Sequence, residues 1–403
     1  MAADAENSHL TCLVTIHGIG FQQPPLKDGT PGYADALHQH LRGYLDESVL
    51  GNDPGRTTPG PVYVQSHWPP ESQDFEAGPA RLGTWDDVER RRIKPNPPAL
   101  VNGNSRIAHV ALVYSHLEDH GFHLGSAFEA ATRATLSVAN YTTLPSLIRM
   151  GVVDAVGAFR HHDRAAAEIT PSLYVRQRLH DTLGDAETPA QPAATGAAPD
   201  IRHNPSGMFA VVKQLEDDVT TYVCRNDLRE RVKSFVQEAL LRIACRPDVD
   251  SIIVNSHSQG TVASFDVLQH LPPFAAQQVS WLITSGSPLR KYADLFYWGY
   301  EAGSVRLVKR WTNFWDEKDP VADPLAPPSH WHRGDALPPL EEQTGMFQAV
   351  DPDTATLVHV PITDVQVDNL AHSAGGGLQA HNYWDNDQEF VQPLARVLEG
   401  RMT

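Results

Sequence analysis

The segment Ser251 to Ala263, SIIVNSHSQGTVA, restricts the fold of this chain more than any other stretch. Ser251 to Asn255 is a short apolar, β-branched run and reads as a buried strand, while Gln259 to His270 reads as a helix. The chain therefore has to turn from strand to helix inside the pentapeptide Ser256-His257-Ser258-Gln259-Gly260. A turn that tight presses backbone against backbone two residues to either side of its apex, so both of those positions must be small. Gly260 meets the demand on one side. On the other stands Ser256, where a glycine is more usual and a serine can still fit.

Strands alternating with helices recur on both sides of this turn. Leu10 to Ile16 is an apolar strand ending in His17-Gly18-Ile19-Gly20. Tyr33 to Val49 carries Tyr33, Leu37, Leu41, Tyr44 and Leu45 at helical spacing, and Pro61 to His67 and Ile107 to His116 read as strands. After the turn come a strand at Val279 to Thr284, a helix at Leu289 to Tyr300, a strand at Lys309 to Trp315, a short strand at Thr356 to Val360 and a closing helix at Gln388 to Leu398. The alternation implies an α/β fold, a mostly parallel central sheet with helices on both faces. Two stretches do not fit it. Gly121 to Ala166 is Ala-, Leu-, Val- and Thr-rich and reads as helices inserted between strands. Asp185 to Gly207 is Pro-, Ala- and Gly-rich with almost no apolar anchors and reads as a mobile linker. The expected division is a core of residues 1–116 and 208–403, an inserted helical cap over 117–184, and a disordered loop over 185–207.

Composition excludes several classes of function. With 32 basic and 49 acidic residues the net charge is −17, a surface that repels a polyphosphate backbone, so no nucleic-acid partner is expected. The 3 cysteines, Cys12, Cys224 and Cys245, have neither the number nor the spacing of a disulfide framework or a metal site. No phosphate-binding glycine loop and no helical zinc motif occurs, so no cofactor and no metal is expected. With neither a secretory signal nor an apolar run long enough to cross a bilayer, a cytoplasmic location is expected.

At the apex of the turn, Ser258 stands where a sharp strand-to-helix bend lifts a serine above the sheet edge, over a helix N-terminus whose dipole favours developing negative charge. It fits equally the plainer role of a helix N-cap. In motif order, HGxG after the first strand, SxSxG at the turn, Trp281 to Leu289 (WLITSGSPL) after it, and late loops carrying an acid and a histidine, the chain resembles the α/β-hydrolases of the lipase and esterase type. The resemblance covers about residues 9–67 and 215–400 and omits the middle insertion.

It implies a Ser-His-Asp triad. Ser258 is the nucleophile. Asp319, immediately before Pro320-Val321, is the acid, with Asp316 and then Asp323 as rivals that could instead bond their own loop backbone. His381, just upstream of the closing helix, is the base, favoured over His372 because Tyr383 and Trp384 can pack around it. The backbone N–H groups of Gln259 and Ile19 form the oxyanion hole, while His17 and His257 are structural. The implied reaction is hydrolysis of a carboxylic ester, in a small molecule or a lipid; the same triad serves thioesters and amides, and a fold of this kind can also persist as an inactive binding protein. The cap would line the acyl site, and an apolar cap can also make weak contact with a membrane surface.

Overall fold

The computed structural model describes residues 9–18, 24–26, 29–65, 79–83, 99–114, 222, 226–296, 310–319, 321–332, 334–339, 347–350, 356–372 and 379–400. The expected cap and linker therefore lie outside the described residues. The chain divides into two compact units, residues 1–115 with 232–403, and residues 116–231. Of the second, Tyr222 and residues 226–231 are described; there Arg229 donates a hydrogen bond to the Tyr222 carbonyl.

The first unit is an α/β structure built on a seven-stranded sheet. Its strands are β1 (Leu10–Ile16), β2 (Val62–Gln65), β3 (Ile107–Val113), β4 (Val249–His257), β5 (Val279–Ser285), β6 (Trp311–Trp315) and β9 (Ile362–Gln366), and every pairing between them is parallel. The spatial order is β2-β3-β1-β4-β5-β6-β9. From β1 the chain runs outward to β2 at one edge and returns to β3. It then passes over β1 to β4 and continues to the other edge. The order thus reverses between β1 and β4, and the crevice beyond the carboxyl ends of two such strands is where open parallel sheets bind ligands. Gly18 follows β1 and Ser258 follows β4 at that point.

Side-chain alternation covers both faces. On β6, Phe314 faces Phe390, beside the closing helix α5 (Gln392–Leu398), with ring centroids 5.0 Å apart. Leu13, Ile253 and Ile283 lie in the same cluster with Leu37 and Leu41 of α1 (Asp35–Arg42). On the opposite face Trp311 packs on Phe265 of α3 (Gln259–Gln269), at 5.8 Å. Two further helices complete the frame, α2 (Asn226–Cys245) and α4 (Leu289–Phe296).

Three elements differ from the sequence reading. The helix expected over 33–49 is only Asp35–Arg42. Beyond Gly43 the chain goes on in turns, in which the Asp46 carboxylate accepts the Ser48 N–H at 2.9 Å, a local bond that competes with the helical ladder. The strand expected at 356–360 forms Leu357–His359 (β8), which pairs antiparallel with Gln348–Val350 (β7) apart from the main sheet. The seventh strand of that sheet is instead Ile362–Gln366, a half-exposed edge strand to which the sequence pattern assigns no element. The closing helix begins at Gln392 rather than 388. Pro393, which lacks an N–H, can sit in a first turn but not inside a helix. A π-helical turn, Asp387–Val391, capped by the Asn386 side chain, precedes it.

A polar chain crosses the sheet beside α1. His38 and His109 stack with centroids 5.3 Å apart. His38 Nε2 contacts Asn52 Oδ1 at 2.9 Å, the two Nδ1 atoms are 3.1 Å apart, and His109 Nε2 contacts Thr15 Oγ1 at 2.8 Å. Two neutral rings satisfy all three contacts: His38 donates to Asn52, His109 donates to His38, and the Thr15 hydroxyl donates to His109. Burial pushes His38 down from 6.5 to about 4 and His109 well below 6.5. The unfolded chain binds these protons below about pH 6.5 while the folded chain refuses them, so stability is lost as the pH is lowered through that window. Urea unfolding is expected to give a lower free energy at pH 5 than at pH 7, by up to about 1.4 kcal/mol per pH unit for each histidine. His38→Gln keeps a donor toward Asn52 without titrating and is expected to flatten this slope; an unchanged slope refutes the assignment.

Candidate active site

The turn is built as the sequence requires. β4 runs through His257, α3 starts at Gln259, and Ser258 between them holds φ 55° and ψ −132°. Among the described residues it is the one non-glycine with a positive φ. Such backbone costs on the order of 1–3 kcal/mol and persists only where its surroundings over-determine it. Here the Ser258 N–H donates to the Ser285 carbonyl at 3.0 Å, and the Ser258 carbonyl accepts from the Thr261 N–H at 2.9 Å and the Thr261 hydroxyl at 2.7 Å. The Ser258 side chain makes no capping bond to α3. The N-cap role is thereby removed, and the hydroxyl is left to the crevice.

Close approach explains the small residues around the turn. A Cβ on Gly260 would stand 2.5 Å from the Ile16 carbonyl oxygen, so α3 begins against the end of β1. Ser256 fits the equivalent place before the apex by sharing a 2.6 Å hydrogen bond with Ser264 of α3. Gly18 approaches from β1: a Cβ there would stand 3.0 Å from Ser258 Oγ and 3.1 Å from the Gln259 backbone nitrogen. The backbone nitrogen of Gln259, where an oxyanion donor is expected, thus lies beside Gly18. Ile19, the other expected donor, lies outside the described residues.

The structure brings Asp319 and His381, far apart in sequence, into one contact. His381 Nδ1 donates to Asp319 Oδ2 at 2.8 Å. Asp319 is completely buried, and its other oxygen accepts the Val321 N–H at 2.9 Å. Neither rival acid occupies this place. Asp316 is spent on backbone, its oxygens accepting the Lys318 and Asn369 N–H groups at 2.8 and 2.7 Å, and burial raises its pKa above the usual carboxylate value. Asp323 forms an ion pair with Lys291. His372 is partly exposed and closes the turn Asn369–Ala371. The Nε2 of His381 is buried and has no hydrogen-bond partner among the described residues.

The loop carrying the acid is held from both sides. Asp364 on β9 accepts the Leu325 and Ala326 N–H groups at 2.9 and 2.7 Å, together with Asn313 Nδ2 of β6 at 2.7 Å. Arg290 on α4 donates to the carbonyls of Pro324, Pro327 and Pro328, and its guanidinium lies 5.1 Å from the Trp331 ring centroid.

Sequence reasoning missed the part played by Tyr383, expected only to pack. Its hydroxyl donates to Asp319 Oδ2 at 3.0 Å and accepts the Asp316 N–H at 2.9 Å. Burial first, and then the Asp319 carboxylate, push its pKa well above 10, so it stays a donor. The available signal was a phenol two residues beyond the histidine.

Two more histidines adjoin the site. His257 Nδ1 lies 3.1 Å from His17 Nε2, and His257 Nε2 lies 2.9 Å from the His381 carbonyl oxygen. Burial holds His17 down at about 4 and His257 well below 6.5, so both are neutral at pH 7. No family model, no curated protein sequence and no solved structure matches this chain.

Tyr383→Phe removes a side-chain donor to a buried carboxylate and leaves the Asp316 N–H without its acceptor. It is expected to cost about 1–3 kcal/mol in urea unfolding. A loss below about 0.5 kcal/mol would show that the phenol does not secure the acid.

Proposed function

We propose that this chain is a serine hydrolase of carboxylic esters, working on an α/β-hydrolase core. Ser258 Oγ attacks the ester carbonyl carbon as its proton passes to His381 Nε2. The tetrahedral oxyanion is met by the Gln259 N–H and by the loop after β1, where Ile19 would donate. The imidazolium then protonates the departing alkoxide, leaving an acyl-serine, and a water deprotonated by His381 releases the acid and restores the serine. Asp319 fixes the Nδ1–H tautomer of His381, so that Nε2 is free to accept, and stabilises the imidazolium.

The observation that carries this reading is the conjunction of a strained, uncapped Ser258 with the 2.8 Å Asp319–His381 contact at the switch point of the sheet. A purely structural serine needs no strained backbone. The triad alone does not choose between oxygen esters, thioesters and amides.

A fluorophosphonate probe is expected to label the chain at Ser258, and p-nitrophenyl esters of graded length to be hydrolysed. Ser258→Ala should abolish labelling and lower turnover by about four to six decades, while Asp319→Asn and His381→Ala each cost at least about three. His372→Ala and Asp323→Asn should leave turnover within a few-fold. Near-normal turnover in folded Ser258→Ala would overturn the assignment.

A further inference from the structure

We propose that His257, the residue before the nucleophile, is a positioning residue for the base, holding His381 through its backbone while His17 holds His257; the inference rests on the reading of Ser258, His381 and Asp319 as a triad. Asp319 fixes only one atom of the His381 imidazole, Nδ1, and a ring held at one edge can still swing about that bond. The backbone of His381 must therefore be anchored as well. The His381 carbonyl accepts from His257 Nε2 at 2.9 Å across 124 residues of sequence. The two rings also pack directly, with centroids 4.5 Å apart and planes at 45°. Gly286 closes the junction: a Cβ there would stand 2.6 Å from His381 Cε1 and 3.1 Å from His257 Nε2, so the residue at 286 can only be one that lets both rings approach.

The carbonyl fixes the tautomer. It can only accept, so the proton of neutral His257 is on Nε2, and Nδ1 must then accept from His17 Nε2–H. His17 also contacts its own neighbour's carbonyl, Gly18 O, at 3.0 Å through Nδ1. These three contacts need three protons, and two neutral rings carry two. The His17–Gly18 contact is the one left without a proton, because the covalent chain enforces that proximity, whereas contacts 240 and 124 residues apart survive only if they attract. His17 is in turn placed by the Tyr114 hydroxyl, which donates to its carbonyl at 2.6 Å, and by the Trp384 ring at 4.9 Å. The base loop and the β1 loop that carries Gly18 are thereby tied to each other through the residue next to Ser258. Because both rings are neutral, the tie adds no charge beside the base.

Side-chain reach allows a clean test in the full-length chain. Glutamine can place its amide nitrogen where Nε2 of His257 stands; asparagine reaches only as far as Nδ1; phenylalanine keeps the ring volume and loses both nitrogens. His257→Phe and His257→Asn are expected to lower kcat on a p-nitrophenyl ester by about tenfold to a hundredfold, with KM changed less than about twofold, and His257→Gln to restore most of the loss. A second readout does not depend on turnover. The Nδ1 proton of His381, bonded to Asp319, should give a downfield proton resonance, assigned by its absence in His381→Gln. That resonance should broaden into solvent exchange in His257→Phe and persist in His257→Gln. Equal kcat in the Phe and Gln variants, or an unchanged resonance in His257→Phe, overturns the proposal. Should the wild-type chain hydrolyse no ester and take no fluorophosphonate, the functional reading fails, and the resonance alone still decides whether His257 holds His381.

Discussion

Between the ends of β1 and β4 there is room for a hydrogen atom at two positions and for nothing larger. Gly260 lies against the Ile16 carbonyl, and Gly18 lies against Ser258 and the Gln259 nitrogen. This mutual approach joins the sheet to the site. Parallel pairing of β1 with β4, in a register that sets Ile16 beside Ser256, delivers both strand ends to the same height. A one-residue slip would turn Ser258 to the other face and place Gly260 away from β1. The positive φ of Ser258 follows from the same geometry. Its strain is offset by bonds to Ser285 on β5 and Thr261 on α3, two elements that register fixes independently.

The acid is held by a different principle. Asp319 sits in a Pro-rich loop with little regular structure, yet it is fully buried, and a buried carboxylate requires several donors. The loop is therefore pinned through its backbone: Arg290 takes three carbonyls on one side, and Asp364 takes two N–H groups on the other. Asp364 reaches the loop only because β9 pairs with β6, which sets it opposite Asn313. The edge strand thus matters to the acid loop through Asp364. Burial drives the pKa of Asp364 upward while the three hydrogen bonds it accepts oppose the shift, as expected for a structural carboxylate.

Much of this was legible in the sequence, and the reasons for success and failure are physical. Apolar β-branched strands buried on both faces have unmistakable composition, and LTCLVTI and SIIVN mark β1 and β4. The turn was legible because its steric demands fall on two small residues at fixed spacing. Asp319 and His381 are singled out by the resemblance, through their place in chain order, and the structure brings the two into contact. What could not be read are features set by a partner distant in sequence. ITDVQ is polar at alternate places and half-exposed, so nothing in it announces a strand until β6 lies beside it. Tyr383 reads as an aromatic that packs; that its hydroxyl bridges Asp316 and Asp319 depends on the fold of the acid loop. A solitary histidine carries no mark of burial, so His38 and His109 gave no signal of the chain they form with Asn52 and Thr15.

The two histidine pairs show where this fold tolerates an incomplete account of protons. In the pair beside α1, each end meets a side chain that can take either part, Asn52 on one side and the Thr15 hydroxyl on the other, and two neutral rings complete every contact. In the pair beside Ser258, both ends meet backbone carbonyls, which can only accept, and two neutral rings leave one contact without a proton. A third proton would complete it, but burial and the neighbouring His381 both oppose a charge on these rings. The deficit therefore stays, beside a strained serine and an imidazole nitrogen that has no partner among the described residues. Buried polar groups elsewhere in a fold are selected for completeness, and departures concentrate where some further demand competes with stability. The Ser258 backbone is the one such departure that no other described residue shares, whereas buried polar atoms without a partner recur among the described residues at Gln278, Trp315 and Trp331.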